Sequence, residues 1–274
     1  MSDQGDPLAR IAAALERLAP PPPPATDWTG SPAYVWDGAA RGVAHLVPPP
    51  PALPPGVDAR KPTVPAHIAR LAAGHAAHDM LLWGSRGMGK SALLRAGVCA
   101  AQAADPSAIA LVQVAPEALA SLAALFGQLR GQTRRFLVFI DDLGFEDGDS
   151  SGPRALRSWL EGGVEARPAN VRLAVTSNRR AIVPRHLSEQ DDPINPRDAV
   201  DDRLALADRF GLSVGFHNCS QDDYLAIIGG YCAANGLDWE VGEALEWSKR
   251  RGARSGRVAW QFVTELAGRA GKQL

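Results

Sequence analysis

The stretch from Met80 to Ser91, MLLWGSRGMGKS, restricts this chain more than anything else in it. An apolar run of strand length ends at Trp83. It gives way to Gly84-Ser85-Arg86-Gly87-Met88-Gly89-Lys90-Ser91, and an Ala/Leu-rich run opening at Ala92-Leu93-Leu94 then continues past Val98 with helical character. The octapeptide has the G-x-x-x-x-G-K-[ST] spacing in the strand-to-helix context that gives the spacing meaning. Glycines at 84, 87 and 89 let the backbone take positive φ, so that successive N–H groups point into one concavity. The helix start adds unpaired N–H groups and the positive end of its dipole. Such a turn holds a polyphosphate, with Lys90 at the β- and γ-phosphates and the Ser91 hydroxyl on Mg²⁺. A glycine-rich turn matching by accident is the alternative. Lysine stands only at positions 61, 90, 249 and 272, so its presence at the one required position argues against accident. Gly84, Ser85, Arg86, Gly87, Met88, Gly89, Lys90, Ser91 and Ala92 are the candidate phosphate-binding residues.

A chain of 274 residues has room for one large nucleotide-binding domain and a smaller companion. A formal charge of −1 gives no global pull toward nucleic acid or anionic membrane, so any such contact must come from a local patch. Cys99, Cys219 and Cys232 form no C-x-x-C pair and are odd in number, which argues against a disulfide framework or zinc site. The first residues lack a basic segment followed by a long apolar core, and no apolar run reaches the roughly 18 residues that span a bilayer. A cytoplasmic protein is the expectation.

Along the chain, Asp6-Pro7 starts a short amphipathic helix with Leu8, Ile11, Ala12, Leu15 and Leu18 on one face, within a first segment of residues 1–19. It serves either as a partner-binding arm or as a docked terminal helix. A Pro-rich linker follows over 20–55. The irregular stretch from Asp27 to Thr63 is expected to wrap over the surface, pinned by Trp28, Tyr34, Val35 and Trp36. Val64 to Leu71 reads as a helix, and His67, His75 and His78 as solvated or capping histidines rather than metal ligands.

Apolar strand-length runs recur at Ile109–Val114, Phe136–Ile140, Val171–Thr176 and Leu212–Phe216. Helical patterns lie between them at Pro116–Arg130, Arg154–Glu161 and Asp201–Gly211. The Pro-broken stretch from Ile182 to Ala199 reads as a surface loop. The alternation predicts a doubly wound, parallel, five-stranded α/β sheet over 56–218. From Ser220 the pattern is purely helical, with faces at Leu225/Ile228/Tyr231/Cys232, Val241/Leu245/Trp247 and Val258/Phe262/Val263/Leu266, so residues 219–274 form a small helical lid.

Phe136-Leu137-Val138-Phe139-Ile140 runs straight into Asp141-Asp142, the form of a buried strand opening at its carboxyl end into a ligand crevice. Asp141 is placed to hold the Mg²⁺ shell and Asp142 to polarise an attacking water. Asn178, at the end of the neighbouring strand, is the candidate for the γ-phosphate or the water, although Thr-Ser-Asn is also an ordinary turn.

These residues make the chain resemble an AAA+ ATPase, and more closely the bacterial family catalogued as domain of unknown function 815. The resemblance is carried by GSRGMGKS at 84–91, FIDDLGFE at 139–146, ANVRLAVTSNRR at 169–180, DRLALADRFGL at 202–212 and SGR at 255–257, and so covers about Gly56 to the C-terminus. It implies an α/β core with a helical lid and ATP between them, sometimes completed by a neighbouring subunit. By this resemblance Gly84 to Ser91 form Walker A, Asp141 and Asp142 Walker B, Asn178 sensor 1, Arg209 the finger offered to the next copy's ATP, and Arg257 sensor 2. Arg203 rivals Arg209, and an ordinary ion pair with Asp202 or Asp208 is the alternative for either. Lys249, Arg250, Arg251 and Arg254 form a solvated basic face or a nucleic-acid patch. Asp142 departs from the Glu that most active AAA+ enzymes carry, which points to slow hydrolysis. The expected function is ATP-driven remodelling or loading of a partner, in a homo-oligomer, with an ATP-gated assembly module as runner-up and a small-molecule kinase third.

Overall fold

The computed structural model describes residues 6–18, 25–46, 62–143, 156, 159–160, 166–178, 208–217 and 219–274. Its elements are α1 (Pro7–Leu18), β1 (Ala33–Trp36), β2 (Ala40–Val43), α2 (Thr63–Ala72), β3 (Met80–Gly84), α3 (Lys90–Ala104), β4 (Ile109–Val114), α4 (Leu122–Leu129), β5 (Arg135–Ile140), β6 (Val171–Ser177), β7 (Leu212–Phe216), α5 (Gln221–Asn235), α6 (Val241–Arg250) and α7 (Gly256–Arg269). A 3-10 turn at Pro116–Ser121 precedes α4. The single helix expected over 116–130 is therefore divided.

Among the described residues seven strands form one sheet in the order β2-β1-β4-β5-β6-β3-β7. Every pairing is parallel except β1 with β2. Strand alternation assigns side chains to two cores, one on each face. Leu82, Leu111, Leu137, Phe139 and Val214 join Val64 and Ile68 of α2, Leu94 and Val98 of α3, and the lid helices. Leu81, Val112, Val138, Ile140, Leu173 and Val175 pack instead on Leu125 and Phe126 of α4. The result is the three-layer arrangement that a parallel sheet buried on both faces requires.

The five strands β3 to β7 match the expectation, while β1 and β2 correct it. Residues 33–36 do not lie over the surface; they extend the sheet beside β4, with Ala33 opposite Leu111 and Trp36 opposite Val114. Buried Arg134 holds them there, donating to the carbonyls of Ser31 (2.7 Å), Pro106 (2.8 Å) and Ile109 (2.9 Å). Trp36 is fully buried and its indole N–H donates to Ser121 Oγ at 2.8 Å. His67 is a second correction: it is buried, not solvated. Its Nε2 accepts the His78 backbone N–H at 2.6 Å, and its Nδ1 faces the Arg70 guanidinium at 2.7 Å. Burial first, and then the nearby cation, holds its pKa below the usual histidine value.

The lid is a three-helix unit. Ser220 and Asp223 form a reciprocal capping box at the start of α5, and Gly236 ends it in the left-handed region. Ser255 caps α7 by accepting the Val258 N–H at 3.2 Å. Tyr224, Ile227, Ile228, Ala244, Phe262 and Val263 close the lid core, which is continuous with the core beneath β3 and β7. Of the helix expected at 154–161, Leu156, Trp159 and Leu160 are described and are helical. The loop expected at 182–199 and residues 201–207 of the helix after it lie outside the described residues.

Candidate active site

Four elements meet at the carboxyl edge of the central strands. Between β3 and α3 the octapeptide turns with φ of 116° at Gly84, 73° at Gly87 and 85° at Gly89. Gly84 is required twice over, because a Cβ there would lie 2.1 Å from the Phe216 carbonyl oxygen. The Ser85 N–H donates to that same oxygen at 2.8 Å, tying the loop to β7. Gly89 precedes α3 without any side-chain cap, so the first N–H groups of the helix have no side-chain acceptor. A cleft of about 680 Å³ opens above them between the sheet edge and the lid.

Lys90 is 8% exposed and its Nζ donates to the carbonyls of Gly84 (2.7 Å) and Ser85 (2.9 Å), with Asn178 Oδ1 at 3.3 Å. Burial lowers its pKa, against the opposing pull of the Asp142 and Asp141 carboxylates. Ser91 Oγ and Thr176 Oγ1 both donate to Asp141 Oδ1 at 2.6 Å. Thr176 also accepts the Asp142 N–H at 2.8 Å, and its carbonyl accepts the Leu143 N–H at 2.7 Å. β6 thereby fixes the turn that follows β5. Asp142 sits in that turn at φ 52°, the only non-glycine among the described residues with positive φ. Its Oδ1 accepts from Asn178 Nδ2, and its Oδ2 is 3.9 Å from Arg86 on the exposed rim.

Arg86, Gly87, Met88, Gly89, Lys90, Ser91, Ala92, Asp141, Asp142, Asn178 and Arg257 all line the cleft. Met88 also reaches into the core. Gly84 and Ser85 stand behind the loop, outside the lining. Arg257 arrives on α7, and its N–H donates to the Gly87 carbonyl at 3.0 Å. Arg209 is half-buried just before β7 and does not line this cleft; Arg203 is outside the described residues.

Two groups of lining residues escaped the sequence reading. Thr176, expected only as the tail of a strand, ties the Asp141 carboxylate to the Asp142 backbone N–H; its position between an apolar strand and Asn178 was the available signal. Tyr231 and Trp260 close the apolar end, with ring centroids 5.0 Å apart in an edge-to-face arrangement, opposite Ala92, Ala96 and Phe216. They come from two lid helices, and no local pattern joins them.

The model of the family described as "Protein of unknown function (DUF815)" matches residues 29–270. The chain belongs to this family. The match begins before β1, so this DUF815 chain includes the strand that the sequence reading placed in an irregular arm. Among solved structures, a single-residue variant of RuvB from Thermotoga maritima is 18% identical, with a TM-score of 0.50 over 77% of this chain and 63% of that one. ORC1 from Aeropyrum pernix, solved in complex with DNA, is 16% identical, with a TM-score of 0.55 over 82% of this chain and 64% of that one. The DUF815 chain thus spans less than two thirds of the length of these two solved proteins. These likenesses show the fold alone, the P-loop α/β fold of the AAA+ type. No curated protein sequence matches it. No helix among the described residues is long and apolar enough to cross a membrane.

Proposed function

We propose that this chain binds ATP with Mg²⁺ in the cleft between sheet and lid and hydrolyses it slowly, using the cycle to shift lid and subunit contacts and so remodel or load a macromolecular partner. The observation that carries the reading is the convergence of Ser91 Oγ and Thr176 Oγ1 on Asp141 Oδ1, at the foot of an uncapped helix whose Lys90 already lies among loop carbonyls. The residues fit the group. Hydroxyl and carboxylate oxygens suit a hard cation, Gly84 and Gly87 turn the loop where a Cβ would collide with Phe216 or with Ser255, and the N–H groups of α3 need an anionic acceptor. A magnesium ion held by Ser91 and Asp141 would neutralise charge on the β- and γ-phosphate oxygens.

Gly84 to Ala92 form the phosphate cradle in this proposal, and Lys90 leaves its carbonyls to meet the phosphates. Asn178 orients Asp142, which accepts the proton of the attacking water. Arg257 approaches from the lid. Arg209, which stands outside its own cleft lining, serves the ATP of a neighbouring copy, as a charge-dispersed transition state demands of a cation from outside the loop. Turnover per chain should climb steeply with protein concentration, and Asp142→Asn should keep ATP bound while turnover falls at least about a hundredfold. Turnover that stays flat with concentration removes Arg209 from the site; unchanged turnover in Asp142→Asn removes the hydrolytic reading.

A second reading, an ATP-gated assembly module with incidental turnover, is favoured by one feature. Both oxygens of Asp142 face cationic or donor groups, Asn178 and Arg86, which leaves its carboxylate poorly disposed to take a proton. Under that reading Asp142→Asn leaves both partner binding and partner release as they were.

A further inference from the structure

Outside the cleft, the strongest unexplained feature is a run of cations where α6 passes into α7. Lys249 and Arg250 end α6, Arg251 is its C-cap, Gly252 turns the chain at φ 66°, and Arg254 precedes the Ser255 cap of α7. All four side chains are exposed. Some other cations do find carboxylates: Arg269 meets Glu243 at 2.7 Å and Arg167 meets Asp79 at 2.7 Å. Among the described residues none of these four has a carboxylate partner. Cations in the last turn complement a helix dipole, which accounts for Lys249 and Arg250. It does not account for Arg251 or Arg254, which lie past the helix end.

Trp247 adds a second observation. The guanidinium groups of Arg251 and Arg250 lie 4.9 and 5.7 Å from the centroid of its ring. Stacking holds two forks in place that would otherwise be free to sweep through solvent. The indole N–H is buried and has no partner, and Trp247 and Arg251 both line a shallow cavity of about 420 Å³. A fixed array of forks beside an unsatisfied donor calls for a ligand with acceptors at fixed spacing. A nucleic-acid backbone offers that, whereas a flexible acidic peptide gains little from preset forks.

We propose that the turn from Lys249 to Arg254 docks the phosphate backbone of a nucleic acid, and that occupancy there is linked to the nucleotide cleft. The link is short: Arg254 stands three positions before Arg257, whose N–H donates to the Gly87 carbonyl at 3.0 Å. Docking stands without the nucleotide reading; the linkage rests on it.

The experiment is fluorescence anisotropy of the full chain with a labelled duplex and a labelled single strand, without nucleotide, titrated from about 50 to 200 mM salt. Four phosphate contacts give a slope of log affinity against log salt of about −3.6 on duplex and about −2.8 on single strand. Replacing Lys249, Arg250, Arg251 and Arg254 together by Gln keeps much of the packing on Trp247; it should flatten the slope and weaken low-salt binding by at least about tenfold. Arg10→Gln with Arg17→Gln, on α1, should leave both unchanged. Docking is overturned if the fourfold variant binds like the parent, or if polyglutamate displaces the DNA charge for charge, which would assign the turn to an acidic protein. Repeating the titration with ATP tests the linkage, which predicts a shifted affinity; equal affinity with and without ATP overturns it.

Discussion

Replacing Thr176 by Val tests whether one hydroxyl organises the acidic end of the cleft. Valine keeps the shape, so no cavity opens in this 1%-exposed position. Two bonds are lost. The bond to Asp141 Oδ1 at 2.6 Å is charge-assisted, and such bonds contribute about 1.5–3 kcal/mol. The Asp142 N–H, 2.8 Å from Thr176 Oγ1, loses its acceptor at a cost of about 1–3 kcal/mol. The two share one oxygen and do not add fully, so the expected loss is about 2–4 kcal/mol, which lowers Tm by about 5–12 °C for a domain of this size. Thr176→Ser retains both bonds and gives up one methyl, about 1 kcal/mol. Urea and thermal unfolding of the unliganded chain measure this, together with Mg²⁺-dependent binding of a fluorescent ATP analogue. Binding should weaken in the Val variant, because Asp141 loses its side-chain tie to β6 and the Asp142 N–H loses its acceptor. A Val variant as stable as the parent, or more stable than the Ser variant, refutes the reasoning.

Gly87→Ala should weaken nucleotide binding by about tenfold or more while sparing the sheet, since the new Cβ sits at positive φ, 2.9 Å from Ser255 Oγ and 3.1 Å from Arg257 Cβ; calorimetric titration with ATP and a thermal melt separate the two effects. Arg134→Ala should cost at least about 3 kcal/mol, by stripping charge-assisted bonds from three carbonyls, and should expose residues 33–43 to early proteolysis; a variant cleaved no faster than the parent would dismiss the tether. For Lys90 the folded pKa lies below 10.5, so between that lowered value and 10.5 the unfolded chain binds more protons and stability rises with pH. Urea melts should show the parent gaining stability relative to Lys90→Met over that window; a flat or falling difference would contradict a buried ammonium.

The phosphate loop, the acidic strand end and the strand–helix alternation were legible because each is local: a period, a spacing, or a pair of residues next to one another. The strand beside β4 was not. Ala33 to Trp36 is four residues long in a Pro-rich stretch, and what makes it a strand is Arg134, about a hundred positions away, together with the ladder of β4. Buried His67 failed for a similar reason, because its partner His78 and the packing of α2 are tertiary facts. The aspartate at 142 was legible as a departure from the usual glutamate but not as a consequence of anything. The backbone supplies a cause: φ is 52° there, a region that Asp and Asn enter several-fold more readily than most residues. A glutamate in that turn would add backbone strain, so the shorter carboxylate goes with the turn that Thr176 clamps.

Under the proposed ATP reading, the same geometry gives the loop a direct contact with the lid. Gly87 is the middle of the loop, and α7 touches it through both Ser255 and Arg257. Ser255 is also the N-cap of α7, so any shift of the Gly87 carbonyl acts on the capped first turn, not on a flexible tail. The rest of α7 cannot yield independently, since Val258, Ala259, Phe262, Val263 and Leu266 are buried against the other lid helices. A displacement at Gly87 therefore reaches the buried body of α7 through its capped first turn. Trp260, one turn further along α7 and in contact with Tyr231 of α5, carries the same displacement to the apolar end of the cleft. The loop and the apolar end of the cleft are thus joined through one helix, α7, which meets the loop at Gly87.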